Sequence, residues 1–174
     1  IHLDHLTGGR YALGVGPGVP FDSHMFGLDP AIQRKRLGES LPDVVQLVNG
    51  TERVSSVTDW YELNDAQVQL PPFSPDGIEI AMSTSGTSES SPRLVGQYGL
   101  SMVSFALPFT IPESGANGHI PLADQWRIAE ETANEYGTRI SRDRWRIVLP
   151  IHVAETTEQA YEDVRAGYDR WVYD

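Results

Sequence analysis

The chain is expected to adopt a parallel α/β fold, the middle part of a (β/α)8 TIM barrel, and three observations point to it. Apolar strand-like runs alternate four times with amphipathic helical stretches along the 174 residues, and strands separated by helices pair in parallel through right-handed crossovers. Ligand-suited residues close different strands: glycines the first, hydroxyls the second, and His152 near the end of the fourth. A barrel distributes its ligand groups in this way over one face. A doubly wound sheet would instead carry a complete glycine fingerprint after its first strand. Here Gly14, Gly16 and Gly18 lack the third fingerprint glycine and the later acidic residue, and Pro17 removes an N–H from the loop. Four units supply half of a closed barrel.

Each element has a local cause. Ile1, Leu3 and Leu6 stand at helical spacing before Gly8 and Gly9, which marks the last turns of a helix. Arg10 to Val15 is a short strand running into the glycine loop, where the missing side chains let a ligand approach the backbone. Asp29 caps a helix with Pro30 in its first turn; Ile32, Leu37, Leu41, Val44, Val45 and Val48 give its stripe, and Asn49-Gly50 its end. Pro42 should kink that helix or stop it early. Thr51 to Ser74 alternates loosely and ends at Pro71-Pro72, an excursion with a short hairpin.

The stretch from Ile78 to Gly99 organises the rest. An apolar strand, Ile78 to Met82, meets the hydroxyl-rich turn Ser83-Thr84-Ser85-Gly86-Thr87-Ser88-Glu89-Ser90-Ser91. Ser91 is expected to be the N-cap of the following helix, with Pro92 at its first position and Gly99 as its left-handed stop. A helix N-terminus presents unpaired N–H groups and partial positive charge, which suits an anion. A plain Ser/Thr/Gly surface loop is the alternative.

A strand from Leu100 to Leu107 follows, then a long loop from Pro108 to Pro121, a lid candidate by its length and glycines. A helix from about Leu122 to Tyr136 closes at Gly137. Trp145 to Val153 is the last strand. Thr156 and Gln159 form a capping box for a final helix carrying Ala160, Val164, Tyr168, Trp171 and Val172 on one face.

Composition bounds the partners. Net charge is −11, pI is near 4.8, and Lys35 is the single lysine; nucleic acid and anionic membrane surfaces, which need clustered basic residues, are not expected. Without cysteine there is neither a disulfide framework nor thiolate metal ligation, and a cytoplasmic setting is expected. No membrane-length apolar run occurs. Residues 1–174 are expected to form a single, partial barrel domain.

The run Leu3-Asp4-His5-Leu6-Thr7-Gly8-Gly9-Arg10-Tyr11-Ala12-Leu13-Gly14-Val15-Gly16-Pro17-Gly18 resembles the fourth-strand region of bacterial luciferase-like flavin monooxygenases. The similarity continues through Met25-Phe26-Gly27, Asp59-Trp60-Tyr61, Ser90-Ser91-Pro92-Arg93-Leu94, Tyr98-Gly99-Leu100 and Ile151-His152-Val153-Ala154-Glu155-Thr156. The resemblance implies barrel strands four to seven. It also implies reduced FMN lying over the carboxyl strand ends, with its phosphate near the turn after the fifth strand, the position of Ser83 to Ser91. Gly16, Gly18, Ser83, Thr84, Ser85, Ser90 and Ser91 are then the candidate cofactor-binding residues. Bacterial luciferase has a phosphate-contacting arginine where this chain has Pro17, so backbone N–H groups and serine hydroxyls, or Arg93, must hold the phosphate.

The implied reaction uses reduced FMN, delivered by a separate flavin reductase, and oxygen to oxygenate a small apolar organic substrate. A deazaflavin-dependent oxidoreductase, or a non-catalytic flavin-binding protein, is the alternative. His24, in the loop after the first strand, is the catalytic candidate, as a proton donor or hydrogen-bond partner; otherwise it packs beneath Met25 and Phe26. His152 is expected to be structural. Asp4 and His5 read as a solvated helix end, and no metal site is expected, since two histidines three apart fall short of a zinc set. Trp126, Trp145, Tyr168 and Trp171 read as core packing. A half-barrel leaves edges and an interior face rich in Ile, Val and Leu uncovered, so the 174 residues are expected to be part of a longer chain or to form a homo-oligomer.

Overall fold

The computed structural model describes residues 1–106 and 119–173. Its centre is a four-stranded parallel sheet in the order β1 (Ala12–Val15), β4 (Glu79–Thr84), β5 (Ser101–Phe105), β6 (Arg146–Val148). Val15 pairs with Met82, Met82 with Met102, and Ser104 with Ile147. All four strands therefore end at one edge. The remaining strands, β2 (Val54–Val57) and β3 (Glu62–Ala66), form the expected antiparallel hairpin.

The helices are α1 (His2–Thr7), α2 (Pro20–Met25), α3 (Pro30–Asn49), α4 (Ser90–Tyr98), α5 (Leu122–Tyr136) and α6 (Thr157–Tyr173). Glycines stop three of them as expected: Gly8, Gly99 and Gly137 have φ of 62°, 64° and 69°, a left-handed region that side-chain-bearing residues rarely enter. Asp29 caps α3 through its carboxylate on the Ala31 N–H at 2.9 Å. Ile80 and Met82 of β4 join Met102, Leu100, Val95, Trp126, Ala129 and Leu41 in one core between sheet and helices. Trp126 stacks on Trp145 at 5.2 Å between ring centroids, so both belong to packing, as expected.

Several expectations are corrected. α3 runs unbroken through Pro42, because Leu37, Leu41, Val45 and Val48 bind its stripe to the core on both sides of the missing N–H. α2 replaces the expected loop after β1, with Pro20 opening it. β6 ends at Val148 rather than Val153; only β5 flanks it, and Pro150 has no N–H to continue a ladder. The sheet face turned away from the helices carries Gly14, Ala81, Ser83 and Ser101 toward β1 and β4, and Val103, Phe105 and Val148 toward β6, so its apolar part is confined to the β5–β6 side and hydroxyls and small residues line the rest. Asp4 is no solvated helix end. It is fully buried, and its carboxylate accepts the Phe73 N–H at 2.8 Å, the Ser74 N–H at 3.2 Å and the Ser74 hydroxyl at 3.0 Å. His5 meets the Pro71 carbonyl at 2.9 Å. The expected lid, Pro108 to Pro121, falls largely on residues 107–118, outside the described residues, as do the side chains of Tyr168 and Trp171.

Candidate functional site

Because β1 and β4 are parallel neighbours, the Gly16–Gly18 loop and the Ser83–Ser91 turn lie side by side at the carboxyl edge. Contact is direct: a Cβ on Gly16 would collide with Ser83 Oγ. Gly18 has φ of 78° and lines a 90 Å³ cavity together with Pro20, Ser23, Gln33 and Arg34.

The turn differs from its sequence expectation in two ways. Strand β4 continues through Thr84, whose fully buried hydroxyl sits 2.8 Å from both Ser104 Oγ and Gln125 Oε1. Thr84 therefore faces the helix layer and not the cradle. The helix begins two residues earlier than expected. Ser90 is its first residue, Glu89 occupies the N-cap, and the Ser88 hydroxyl accepts the Ser90 N–H at 3.1 Å. Ser91 is buried in the first turn, and Pro92 costs no hydrogen bond at the third position, since the first four helical N–H groups lack intrahelical partners.

What remains at the surface is a chain of hydroxyls. Ser85 and Thr87 oxygens are 2.8 Å apart, and Ser88 and Ser90 oxygens 2.9 Å apart. Arg34, one turn into α3, reaches over them with Nη1 3.5 Å from Ser90 Oγ and Nη2 3.5 Å from Thr87 Oγ1. Those separations are long for hydrogen bonds, and among the described residues no carboxylate pairs with Arg34. Its guanidinium is available to an anion. Arg93 is not: Glu89 Oε2 holds its Nη2 at 2.7 Å. The local sequence could not single out Arg34, which stands 56 residues from Ser90.

One guanidinium, four hydroxyls and a helix N-terminus converge here, a donor set that fits a phosphate dianion. Beside the turn, the His119 ring packs on Gly86 (φ 75°) and buries Nε2 without a hydrogen-bond partner among the described residues.

The other candidates lie apart. His24 is exposed in the last turn of α2, not packed beneath Met25 and Phe26, which are themselves 69% and 77% exposed. No hydrogen bond among the described residues joins it to the turn. His152 meets Asp163 of α6, Nε2 to Oδ2, at 3.0 Å; this bond, with one from Gln159, holds the carboxyl of Asp163 below its ordinary range. A polar groove of about 510 Å³ opens at the opposite, amino edge of the sheet, crossed by the Glu79–Arg146 ion pair. Among the described residues no cluster of three or more His, Asp or Glu is placed to hold a metal. No described helix is long and apolar enough to cross a membrane.

Comparison with known proteins shows the family and the fold. A family model described as "Luciferase-like monooxygenase" matches residues 1–172. The chain is 45% identical over 172 residues to 4-hydroxyprotoasukamycin monooxygenase of Streptomyces nodosus subsp. asukaensis, covering 98% of this chain and 45% of that protein. It is 39% identical over 166 residues to limonene 1,2-monooxygenase of Rhodococcus erythropolis, covering 95% of this chain and 40% of that one. A solved structure, the oxygenating constituent of 3,6-diketocamphane monooxygenase from the CAM plasmid of Pseudomonas putida in complex with FMN, superposes with a TM-score of 0.67 at 28% identity, covering 98% of this chain and 48% of that one. The chain thus spans less than half the length of each. The parallel sheet and its helices are part of a TIM barrel, and the chain belongs to the luciferase-like monooxygenase family.

Proposed function

We propose that this chain supplies the phosphate-binding part of the active site in a flavin-dependent monooxygenase that works with reduced FMN. The carrying observation is Arg34 poised over the Thr87 and Ser90 hydroxyls at the N-terminus of α4. In this reading Arg34 donates to the phosphate, the Ser85, Thr87, Ser88 and Ser90 hydroxyls and exposed turn amides complete its shell, and Arg93 holds the Glu89 carboxylate aside. Gly16 and Gly18 let the cofactor approach the β1 loop without obstruction, and Ser83 stands between the two loops.

Bound FMN, once reduced, supplies the electrons for activating oxygen; the protein positions it and limits access of water. His24, exposed at the same edge, is proposed as a proton donor or hydrogen-bond partner for substrate. A separate flavin reductase delivers the reduced cofactor, the substrate is a small apolar organic molecule, and the setting is cytoplasmic. Residues 1–174 act as a partial barrel, completed by the rest of a longer chain or by a second copy.

The test is oxygen uptake by the full-length protein with chemically reduced FMN and a panel of apolar substrates. Substrate-dependent uptake coupled to an oxygenated product is the expected result. No uptake, with hydride transfer from a reduced deazaflavin instead, would refute the monooxygenase assignment. Flavin binding without either activity would point to a binding protein.

A further inference from the structure

Beneath the turn runs a line of buried polar groups that no substrate contact accounts for. It begins at Trp145 Nε1, 2.9 Å from Ser104 Oγ. Ser104 Oγ lies 2.8 Å from Thr84 Oγ1, and Thr84 Oγ1 lies 2.8 Å from Gln125 Oε1. Gln125 Nε2 reaches the Ile120 carbonyl at 2.9 Å, and the Ile120 N–H reaches the Gly86 carbonyl at 2.8 Å. Thr84, Ser104 and Gln125 are each fully buried.

The two ends fix the direction of every bond. An indole N–H can only donate, and the Ile120 carbonyl can only accept. Gln125 must therefore turn its amide N–H toward Ile120 and its oxygen toward Thr84, so Thr84 donates to Gln125, Ser104 donates to Thr84, and Trp145 donates to Ser104. All donors point one way, toward the turn. Aligned chains of this kind strengthen each member in a low-dielectric interior, and breaking one link leaves buried groups unpaired.

The line ends on the backbone that forms the cradle. Gly86 lies in the left-handed region, and a Cβ there would stand 2.9 Å from Gln125 Nε2 and strike the His119 ring, so the turn is pressed against Gln125. A trans peptide holds its C=O and the next N–H antiparallel. With the Gly86 carbonyl held by Ile120, the Thr87 N–H is turned away from Ile120, and it has no acceptor among the described residues.

We propose that Gln125 is a positioning residue for anion binding: through Thr84 on one side and Ile120 on the other, it holds the Gly86–Thr87 peptide with its N–H presented to the phosphate. This rests on the assignment of the turn as the phosphate site. Gln125 touches no cofactor in this account; it acts through Ile120 and Gly86.

The experiment compares FMN with riboflavin, which lacks the phosphate, in fluorescence titrations of the full-length protein. The wild type should favour FMN. Gln125→Leu, similar in volume but unable to hydrogen bond, should lose about tenfold of that preference, close to one hydrogen bond to a charged group, with riboflavin affinity unchanged. Gln125→Glu gives a second readout that a purely structural role would not move. Its protonated carboxyl can still donate to the Ile120 carbonyl while accepting from Thr84, so the preference for FMN, measured relative to wild type at each pH, should be restored on acidification and lost as the buried carboxylate ionises. A Leu variant that keeps its preference, one that loses both ligands equally, or a Glu variant with no added pH dependence would overturn the role of Gln125. A wild type that binds FMN no better than riboflavin would overturn the phosphate assignment itself, and the positioning role with it.

Discussion

Gly16 and Ser83 meet so closely that the glycine loop of β1 and the hydroxyl turn of β4 form one surface: a Cβ at position 16 has no room beside Ser83 Oγ. Gly16→Ala should force the Ser83 hydroxyl into another rotamer at a cost of about 1 kcal/mol and weaken FMN binding. In a Ser83→Ala background the stability cost should vanish, because Ser83 Cβ is 3.6 Å from the added carbon, an ordinary contact. A double-mutant cycle by thermal melting measures this; additive effects would show that the two residues do not compete for space.

Gly96 plays a comparable part between helices. A Cβ there would overlap the Ala129 carbonyl of α5 and approach Thr132 Cβ at 2.7 Å and Ala133 N at 2.8 Å, and the Thr138 hydroxyl donates to the Gly96 carbonyl. Gly96→Ala should separate α4 from α5 and destabilise by about 1–3 kcal/mol. Since α4 carries the cradle at its N-terminus, flavin affinity should fall as well. Denaturant melts and titration test both; an unchanged midpoint would contradict the close packing.

Helix ends were well marked in the sequence, because left-handed glycines and an Asp-Pro cap act locally: Gly8, Gly99, Gly137 and Asp29-Pro30 stand where expected. The parallel order and the shared edge of Gly16 and Ser83 followed from the alternation of strands and helices. What the sequence concealed depends on distant partners. Asp4 looked solvated until its acceptors' donors, 69 and 70 residues away, folded over it. Thr84 belongs to a hydroxyl run but is drawn into the core by Gln125, 41 residues on. Arg93 was the nearest cation in sequence, yet Glu89 occupies it and Arg34 arrives from α3.

Asp4 gives a pH prediction. Burial raises its pKa, but the Ser74 N–H and hydroxyl and the Phe73 N–H outweigh it, so the carboxyl stays below its usual 3.8. Glu79 is likewise held below its usual 4.5, chiefly by Arg146. A depressed folded pKa means stability that is complete above the unfolded value and lost as pH falls through the folded one. Melting temperature should drop on acidification below about pH 4, and Asp4→Asn should lower it near neutrality while flattening the acid limb. Parallel melts decide this; an Asp4→Asn variant that melts like wild type at neutral pH would contradict the anchoring role.

Ile147 and Val148 of β6 are each 44% exposed, and Ile151 and Val153 beyond it 72% and 84% exposed. Residues 1–174 on their own should therefore associate or melt without cooperativity. Sedimentation velocity with a thermal melt measures it. A monodisperse, cooperatively melting monomer of these 174 residues would show that the open face needs no cover.

If Arg34 and the turn before α4 hold the flavin phosphate, as proposed, the affinities of wild type, Arg34→Ala and Arg93→Ala for FMN and riboflavin in the full-length protein must differ in a defined way. Removing a charge-assisted contact worth about 1.5–3 kcal/mol should reduce FMN affinity roughly 10- to 100-fold. Arg34→Ala should therefore cut the preference for FMN over riboflavin by that factor and leave riboflavin itself unchanged, while Arg93→Ala, which removes no phosphate contact and only frees the Glu89 carboxylate, should have the smaller effect. An Arg34→Ala protein that still binds FMN with wild-type affinity would place the phosphate elsewhere and contradict the account.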